Sequence, residues 1–266
     1  MNEDKIILEL IDVTKQFRGY GGKNLQAVKN LNLRIREGEC IGIVGESGCG
    51  KSTIAKMISH LTNVTSGAII FKGKDSTFLR KKALQEYYKQ VQMIFQDPLA
   101  TFSPRMKIGT YIMEPFLNFN ILHKKEAFAF AEELLEMVGL EKEFMNRYPH
   151  ELSGGQLQRV VIARAIGLNP DLIICDECTS ALDVTIQQQI LQLLIDLRVK
   201  TNFSCIFITH DLAVAESICD KLYVMYEGEI IEEIHSNHLK RDAKHPYTKK
   251  LLNSTISINR DGSVAF

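Results

Sequence analysis

The architecture turns on Cys40-Ile41-Gly42-Ile43-Val44, which runs straight into Gly45-Glu46-Ser47-Gly48-Cys49-Gly50-Lys51-Ser52. The first segment is continuously apolar, with no polar alternation. That is the pattern of a strand buried on both faces, as in a parallel sheet covered by helices. The second segment matches G-x-x-x-x-G-K-[ST] in full. Its glycines let the backbone curl so that successive N–H groups face phosphate oxygens. The helix read from Ser52 onward turns the positive end of its dipole toward the same anion. Lys51 is placed to bridge the β- and γ-phosphates of a nucleotide, and the Ser52 hydroxyl to ligate Mg2+. Alone, the loop does not separate one class of nucleotide-using protein from another.

On either side of this junction, strand-like and helix-like patterns alternate, which predicts an α/β fold with a largely parallel sheet. Ile6 to Val13 and Leu31 to Ile35 read as strands ahead of the loop, with Arg36 to Glu39 as a turn. Ala68 to Phe71 and Val91 to Phe95 are further short strands. From Pro98 to Gly167 the character changes. Segments such as Lys125 to Val138 carry apolar residues at helical spacing, so this stretch reads as a mainly helical insertion. The α/β pattern resumes with a strand at Asp171 to Asp176, a helix at Ile186 to Lys200, a strand at Ser204 to Thr209 and a helix at Leu212 to Cys219. Leu222 to Glu232 reads as a hairpin turning at Glu227-Gly228, and the tail from His235 as polar and partly irregular.

Two further segments carry chemistry. Leu172-Ile173-Ile174-Cys175-Asp176-Glu177 is an apolar strand ending in two carboxylates. The C-terminal tip of a buried strand opens on the ligand crevice, so Asp176 is placed to hold Mg2+ and Glu177 to orient an attacking water. The other segment is Leu152-Ser153-Gly154-Gly155-Gln156, in which a serine and two glycines precede the apolar helix Val160 to Ile166. This is a second exposed helix N-terminus fronted by small residues, and so a second natural anion site. One nucleotide site does not need two. The second suits closure over a γ-phosphate held by a different subunit.

The segment Leu152 to Gln156, continued by Leu157-Gln158-Arg159, resembles the signature sequence of the ABC ATPases, and the resemblance covers essentially the whole chain. It implies a P-loop NTPase core, with a RecA-like parallel sheet and an N-terminal antiparallel β-subdomain, plus an inserted α-helical subdomain. The implied division is 1–97 and 168–234 for the ATP-binding core, 98–167 for the helical signature subdomain, and 235–266 for a short tail with a His-Pro-Tyr-Thr motif. On the same resemblance Phe17 stacks on adenine, Gln96 reaches Mg2+ and water, and His210 is the switch histidine near the γ-phosphate. The phosphate set is Gly45, Glu46, Ser47, Gly48, Cys49, Gly50, Lys51, Ser52 and Thr53, completed across a dimer by Ser153, Gly154, Gly155 and Gln156. Ser52, Gln96 and Asp176 are the implied Mg2+ ligands, and Glu177, His210, Gln96 and Lys51 the implied catalytic group. Ser180-Ala181-Leu182-Asp183 resembles the loop that contacts the opposite subunit. Leu157, where a polar residue is usual, and Cys178, where proline is usual, depart from the family pattern without removing a catalytic group.

Gln96-Asp97-Pro98-Leu99-Ala100-Thr101-Phe102-Ser103-Pro104-Arg105-Met106, Tyr148-Pro149-His150-Glu151, Ala181 to Gln187 and His245-Pro246-Tyr247-Thr248 are similar to the peptide and nickel importer branch, in its F-type ATPase. Ser103 stands where asparagine is common. The expected activity is ATP hydrolysis driving import of oligopeptides, dipeptides or nickel. An exporter or a non-transport ABC protein is the alternative, and the lack of a heptad array between Ser52 and Ser153 argues against the repair type. Expected partners are a second ABC ATPase subunit in a head-to-tail dimer, as a heterodimer in the transporter; two permease subunits; and, indirectly, an extracytoplasmic substrate-binding protein. The expected location is the cytoplasmic face of the cell membrane, peripherally held.

The whole-chain properties agree. The 266 residues suit one large domain or a core with an inserted subdomain, and 45% hydrophobic with 24% charged residues is ordinary for a globular chain. Lys plus Arg and Asp plus Glu number 32 each, so no basic surface for nucleic acid is indicated. MNEDKIILEL has no secretory pattern, and the apolar runs are far shorter than the ~20 residues of a spanning helix. The six cysteines read as reduced thiols. Cys175 and Cys178 form a C-x-x-C without a second Cys/His pair at zinc spacing, so they read as thiols filling a strand end.

Overall fold

The computed structural model of the chain describes residues 5–18 and 24–258. In chain order the strands are β1 (Ile6–Arg18), β2 (Asn24–Arg36), β3 (Cys40–Val44), β4 (Ser66–Phe71), β5 (Lys74–Asp75), β6 (Val91–Ile94), β7 (Leu172–Asp176), β8 (Ser204–Thr209), β9 (Lys221–Tyr226) and β10 (Glu229–His235). The helices are α1 (Lys51–Ile58), α2 (Lys81–Gln90), α3 (Ile108–Asn118), α4 (Lys124–Met137), α5 (Gly154–Gly167), α6 (Val184–Thr201), α7 (Leu212–Ile218), α8 (Leu239–Asp242) and α9 (Pro246–Ile258). They fall into two compact units, one from the described parts of Met1–Leu79 and Ser204–Phe266, the other Arg80–Phe203.

In the first unit, β3 lies between β8 and β9 and runs parallel to both. Both edges of β3 are paired and every residue of the apolar run Cys40 to Val44 is buried, the pattern of a strand covered on both faces. β10 returns antiparallel on β9 through the Glu227-Gly228 turn. A separate antiparallel sheet has the order β2-β1-β4-β5. Leu8, Leu10 and Val13 on β1 and Val28, Leu31, Leu33 and Ile35 on β2 supply its core.

β1 and β2 are longer than their apolar alternation predicts. The register shifts between Leu10 and Val13 and between Val13 and Lys15. Asp12 (φ 49°) and Asn30 (φ 43°) adopt left-handed backbone there. Side chains stitch the irregularity together. Asn32 donates to the Asp12 carboxylate at 2.9 Å and accepts the Asp12 N–H at 3.0 Å, while the Thr14 hydroxyl bonds Asn30. Such bulges reset which face a side chain points to, so a period-two pattern ends where the strand does not.

In the second unit β6 and β7 pair in parallel, from Val91↔Leu172 to Ile94↔Cys175. Between Pro98 and Gly167 the described elements are all helical: α3, α4, α5 and short 3-10 turns. Tyr111, Ile112 and Phe116 on α3, Ala131, Leu134 and Leu135 on α4, and Val160, Ile162 and Ala163 on α5 are buried. α4 and α5 are tied by Arg159, which donates to the Val138 carbonyl at 2.7 Å.

Among the described residues the tail is more regular than its polarity suggests: a 3-10 turn at Ser236–His238 leads into α8 and, after an irregular stretch at 243–245, α9. Pro246 opens α9, where its missing N–H costs nothing, and the His245 imidazole accepts the Tyr247 N–H at 3.1 Å. Polarity masked α9, whose buried residues among the described side chains are Tyr247 and Thr248. Among the described residues no helix is long and apolar enough to cross a membrane.

Candidate nucleotide-binding site

The first unit carries the glycine-rich loop. Gly45 (φ 156°) and Gly50 (φ 113°) bracket it. A Cβ on Gly45 would stand 2.2 Å from the Met225 carbonyl oxygen, and one on Gly50 would stand 2.3 Å from that of Ala27. Neither position admits a side chain. Gly48, at φ 82°, has nothing within 4 Å of the place a Cβ would occupy. The loop is therefore open at Gly48, between two pinned ends. The Cys49 carbonyl accepts the Gly228 N–H at 3.0 Å, and the Glu46 N–H donates to the Tyr247 hydroxyl at 2.8 Å.

Lys51 begins α1 and is only 4% exposed. Its ammonium donates to the Gly45 and Glu46 carbonyls at 2.7 and 2.9 Å, so the charge is held inside the loop. Ser52 and Thr53 follow on the first turn, half-buried. Burial pushes the Cys49 thiol up, with the neighbouring Lys51 charge partly opposing this. A glycine-opened loop, a buried ammonium and a helix N-terminus together fit a nucleotide's phosphates.

Two more candidates lie in this unit. Val44 pairs with Thr209, so Gly45 and His210 leave neighbouring parallel strands at the same end. His210 is exposed, and Asp211 beside it caps α7 by accepting the Ala213 and Val214 N–H groups at 2.8 and 3.2 Å. Phe17, on β1, exposes 41% of its surface with the Lys15 ammonium 4.9 Å from its ring centroid.

The second unit carries the acids and the signature segment. Asp176 ends β7 and is 7% exposed. Glu177 follows at φ 49°, half-buried, and its carbonyl accepts both the Ser180 N–H (3.1 Å) and the Ser180 hydroxyl (2.9 Å). That turn reverses the chain at the strand tip. Because β6 pairs with β7 up to Ile94↔Cys175, Gln96 emerges beside this tip, exposed. Cys175 and Cys178 are both buried.

Ser153 caps α5. Its hydroxyl accepts the Gln156 N–H at 3.3 Å, and the Gln156 side chain accepts the Ser153 N–H at 2.9 Å, a reciprocal capping box. Ser153 and Gly154 are exposed. Gly155 has a second duty that the sequence does not advertise: a Cβ there would lie 2.5 Å from Ile186 Cγ2, so its absence lets α5 approach α6. Asp183, read above as a subunit-contact residue, also caps α6 by accepting the Ile186 N–H at 3.0 Å. Tyr247 was legible only as part of a motif; its contact with the loop joins residues 201 positions apart and has no local signal.

An α/β scaffold, a G-x-x-x-x-G-K-S loop running from a buried parallel strand into a helix, and a second strand tipped by adjacent carboxylates define a P-loop nucleotide-binding protein. Residues 28–180 match the ABC transporter family model, and the chain belongs to that family. It is 44% identical over 265 residues to the oligopeptide transport ATP-binding protein AppF of Bacillus subtilis, covering 97% of this chain and 80% of that one. It is 43% identical over 263 residues to the oligopeptide transport ATP-binding protein OppF of Salmonella typhimurium, covering 96% and 79%. Among solved structures, the dimeric post-hydrolysis state of the ATP-binding cassette MJ0796 bound to ADP and Pi superposes with a TM-score of 0.78 at 32% identity, over 86% of this chain and 99% of that one. The structure of cbiO1 from Clostridium perfringens, part of the transporter complex cbiONQ, gives 0.79 at 26% identity over 96% of each. The protein is an ABC-type ATPase.

Proposed function

We propose that this chain is the ATP-hydrolysing subunit of an importer for short peptides, working as one half of a head-to-tail ATPase dimer beneath two permease subunits on the cytoplasmic face of the membrane. The observation that carries this reading is the coexistence of an intact phosphate loop with an exposed, capped signature segment in a chain so similar to two oligopeptide transport ATP-binding proteins. A lone nucleotide pocket has no use for the exposed α5 N-terminus. A dimer uses it to cover the γ-phosphate of ATP held by the other subunit.

The site residues take the following roles. Backbone N–H groups of Gly45 to Thr53 and the Lys51 ammonium hold the phosphates, balancing charge as phosphoryl transfer requires. Phe17 supports the adenine. The oxygens of Ser52, Gln96 and Asp176 are hard donors of the kind Mg2+ takes, and the ion would neutralise β- and γ-phosphate charge there. Glu177 accepts a proton from the attacking water, and His210 and Gln96 orient it. Ser153 to Gln156 of the second subunit complete the site. Hydrolysis removes the bridge between subunits, and the difference in affinity between open and closed dimers is what drives the permease. In this scheme residues 1–97 and 168–234 form the ATP-binding core, 98–167 the signature subdomain that grips the permease near Gln96 to Met106, and 235–266 the tail. The opposing subunit is a related but different ATPase, and an extracytoplasmic binding protein delivers the cargo.

The test is reconstitution of the chain with its neighbouring ATPase and permease subunits in lipid vesicles. Peptide-loaded binding protein should stimulate ATP hydrolysis, and Glu177→Gln should lower turnover by about 10²–10⁴-fold while trapping an ATP-bound dimer. Stimulation by nickel alone would transfer the cargo to the metal. Turnover indifferent to either cargo would favour the exporter or non-transport alternative.

A further inference from the structure

The phosphate loop is held from outside by the tail. Tyr247 lies on the first turn of α9, 8% exposed, with its ring 4.4 Å from that of Tyr226 at the end of β9. Its hydroxyl accepts the N–H of Glu46, the second residue of the loop. On the opposite flank, Gly228 of the β9–β10 turn donates to Cys49. The loop is thus clamped at both shoulders, leaving Ser47, Gly48 and the helix start between them.

The start of α9 is itself built to stay in place. The Glu232 carboxylate on β10 accepts the N–H groups of Lys244 and His245 at 2.7 and 2.8 Å. Thr248, fully buried, faces the same carboxylate, and although burial opposes ionisation these hydrogen bonds hold Glu232 below the usual carboxylate range. Lys250 adds an exposed ion pair to the Glu46 side chain at 3.3 Å, a contact of little energetic weight at the surface.

Glu46 directly follows Gly45, which has no Cβ to limit rotation of their shared peptide. Two side chains hold that peptide so that the following N–H groups can converge on an anion before it arrives: the Lys51 ammonium bonds its carbonyl, on Gly45, and the Tyr247 hydroxyl its N–H, on Glu46. We propose that Tyr247 is a positioning residue for the phosphate loop: its hydroxyl sets the Glu46 peptide, so that helix α9 tunes nucleotide affinity without touching the nucleotide. This rests on the loop being the nucleotide site. The mechanism is pre-organisation: ordering done in the free protein is not charged against binding.

The experiment uses the full chain, with Mg-ADP and Mg-ATP as probes. Tyr247→Phe keeps the ring against Tyr226 and removes only the acceptor. The expected result is an ADP dissociation constant and an ATP KM raised together by about three- to tenfold, with kcat changed less than about twofold and the melting temperature lowered by no more than about 4 °C. Lys250→Gln should leave all of these unchanged. Wild-type affinities retained in Tyr247→Phe would overturn the proposal. Failure of the wild type to bind ADP would instead overturn the reading of the loop. Should Tyr247→Phe not fold, hydrogen exchange of the nucleotide-free wild type decides: a Glu46 amide protected relative to Ser47 supports the clamp, and equal exchange refutes it.

Discussion

The phosphate loop and the signature segment are both helix N-termini fronted by glycine, and they are stabilised in opposite ways. The loop is bound by distant parts of its unit: Met225 and Ala27 crowd its terminal glycines, and Gly228 and Tyr247 bond its shoulders. The signature segment is bound to itself, by a capping box spanning Ser153 to Gln156, and its leading residues are exposed. The first arrangement fixes geometry before a ligand arrives, which suits anchoring phosphates. The second keeps a helix end tidy while leaving it free to meet another surface, which suits a site completed across an interface.

The comparison breaks most readily at Gly50. Ala there sits at φ 113° with its Cβ against the Ala27 carbonyl, so Gly50→Ala should cost about 1–3 kcal/mol of stability and abolish measurable ADP binding by the isolated subunit. Thermal melts and calorimetric titration check both. Retention of binding would mean the loop is not pinned as described. Ser153→Ala should cost less, about 1 kcal/mol, by removing the α5 cap. It should leave ADP affinity of the isolated subunit unchanged while weakening ATP-dependent dimerisation, measured by sedimentation velocity on paired variants. A loss of monomer affinity would place the two helix ends in one site of one chain. The mildest effect is at Cys49, which alone among the cysteines is not buried. Because its thiol is pushed up, maleimide labelling should be slow at pH 7, keep rising beyond the usual thiol range, and be suppressed by ADP. Mass spectrometry after timed labelling follows it, and Cys49→Ser should remove the signal.

The sequence made the loop, the carboxylate-tipped strand and the signature helix legible because each is a local pattern of chemistry tied to a local backbone shape. Cys40 to Ser52 contains its own strand, turn and helix start. What stayed hidden depends on residues meeting across the chain. The Asp12 and Asn30 bulges interrupt the alternation of β1 and β2 and conceal their length. Gly155 reads as an anion-site glycine, yet its packing against Ile186 appears only once α6 is placed. The helix at 246–258 was concealed by its polarity, and with it the hydroxyl that reaches Glu46.

The reach from Glu46 to Tyr247 also has a dimension in time. The two residues are 201 positions apart. At about 5–20 residues per second of synthesis, a nascent chain carries the complete glycine motif for about 10–40 s before the tyrosine exists. For most of that interval β3 also lacks β8 and β9, which are translated late. The emerging motif is therefore a sequence without its folded geometry until β8, β9 and α9 have been made.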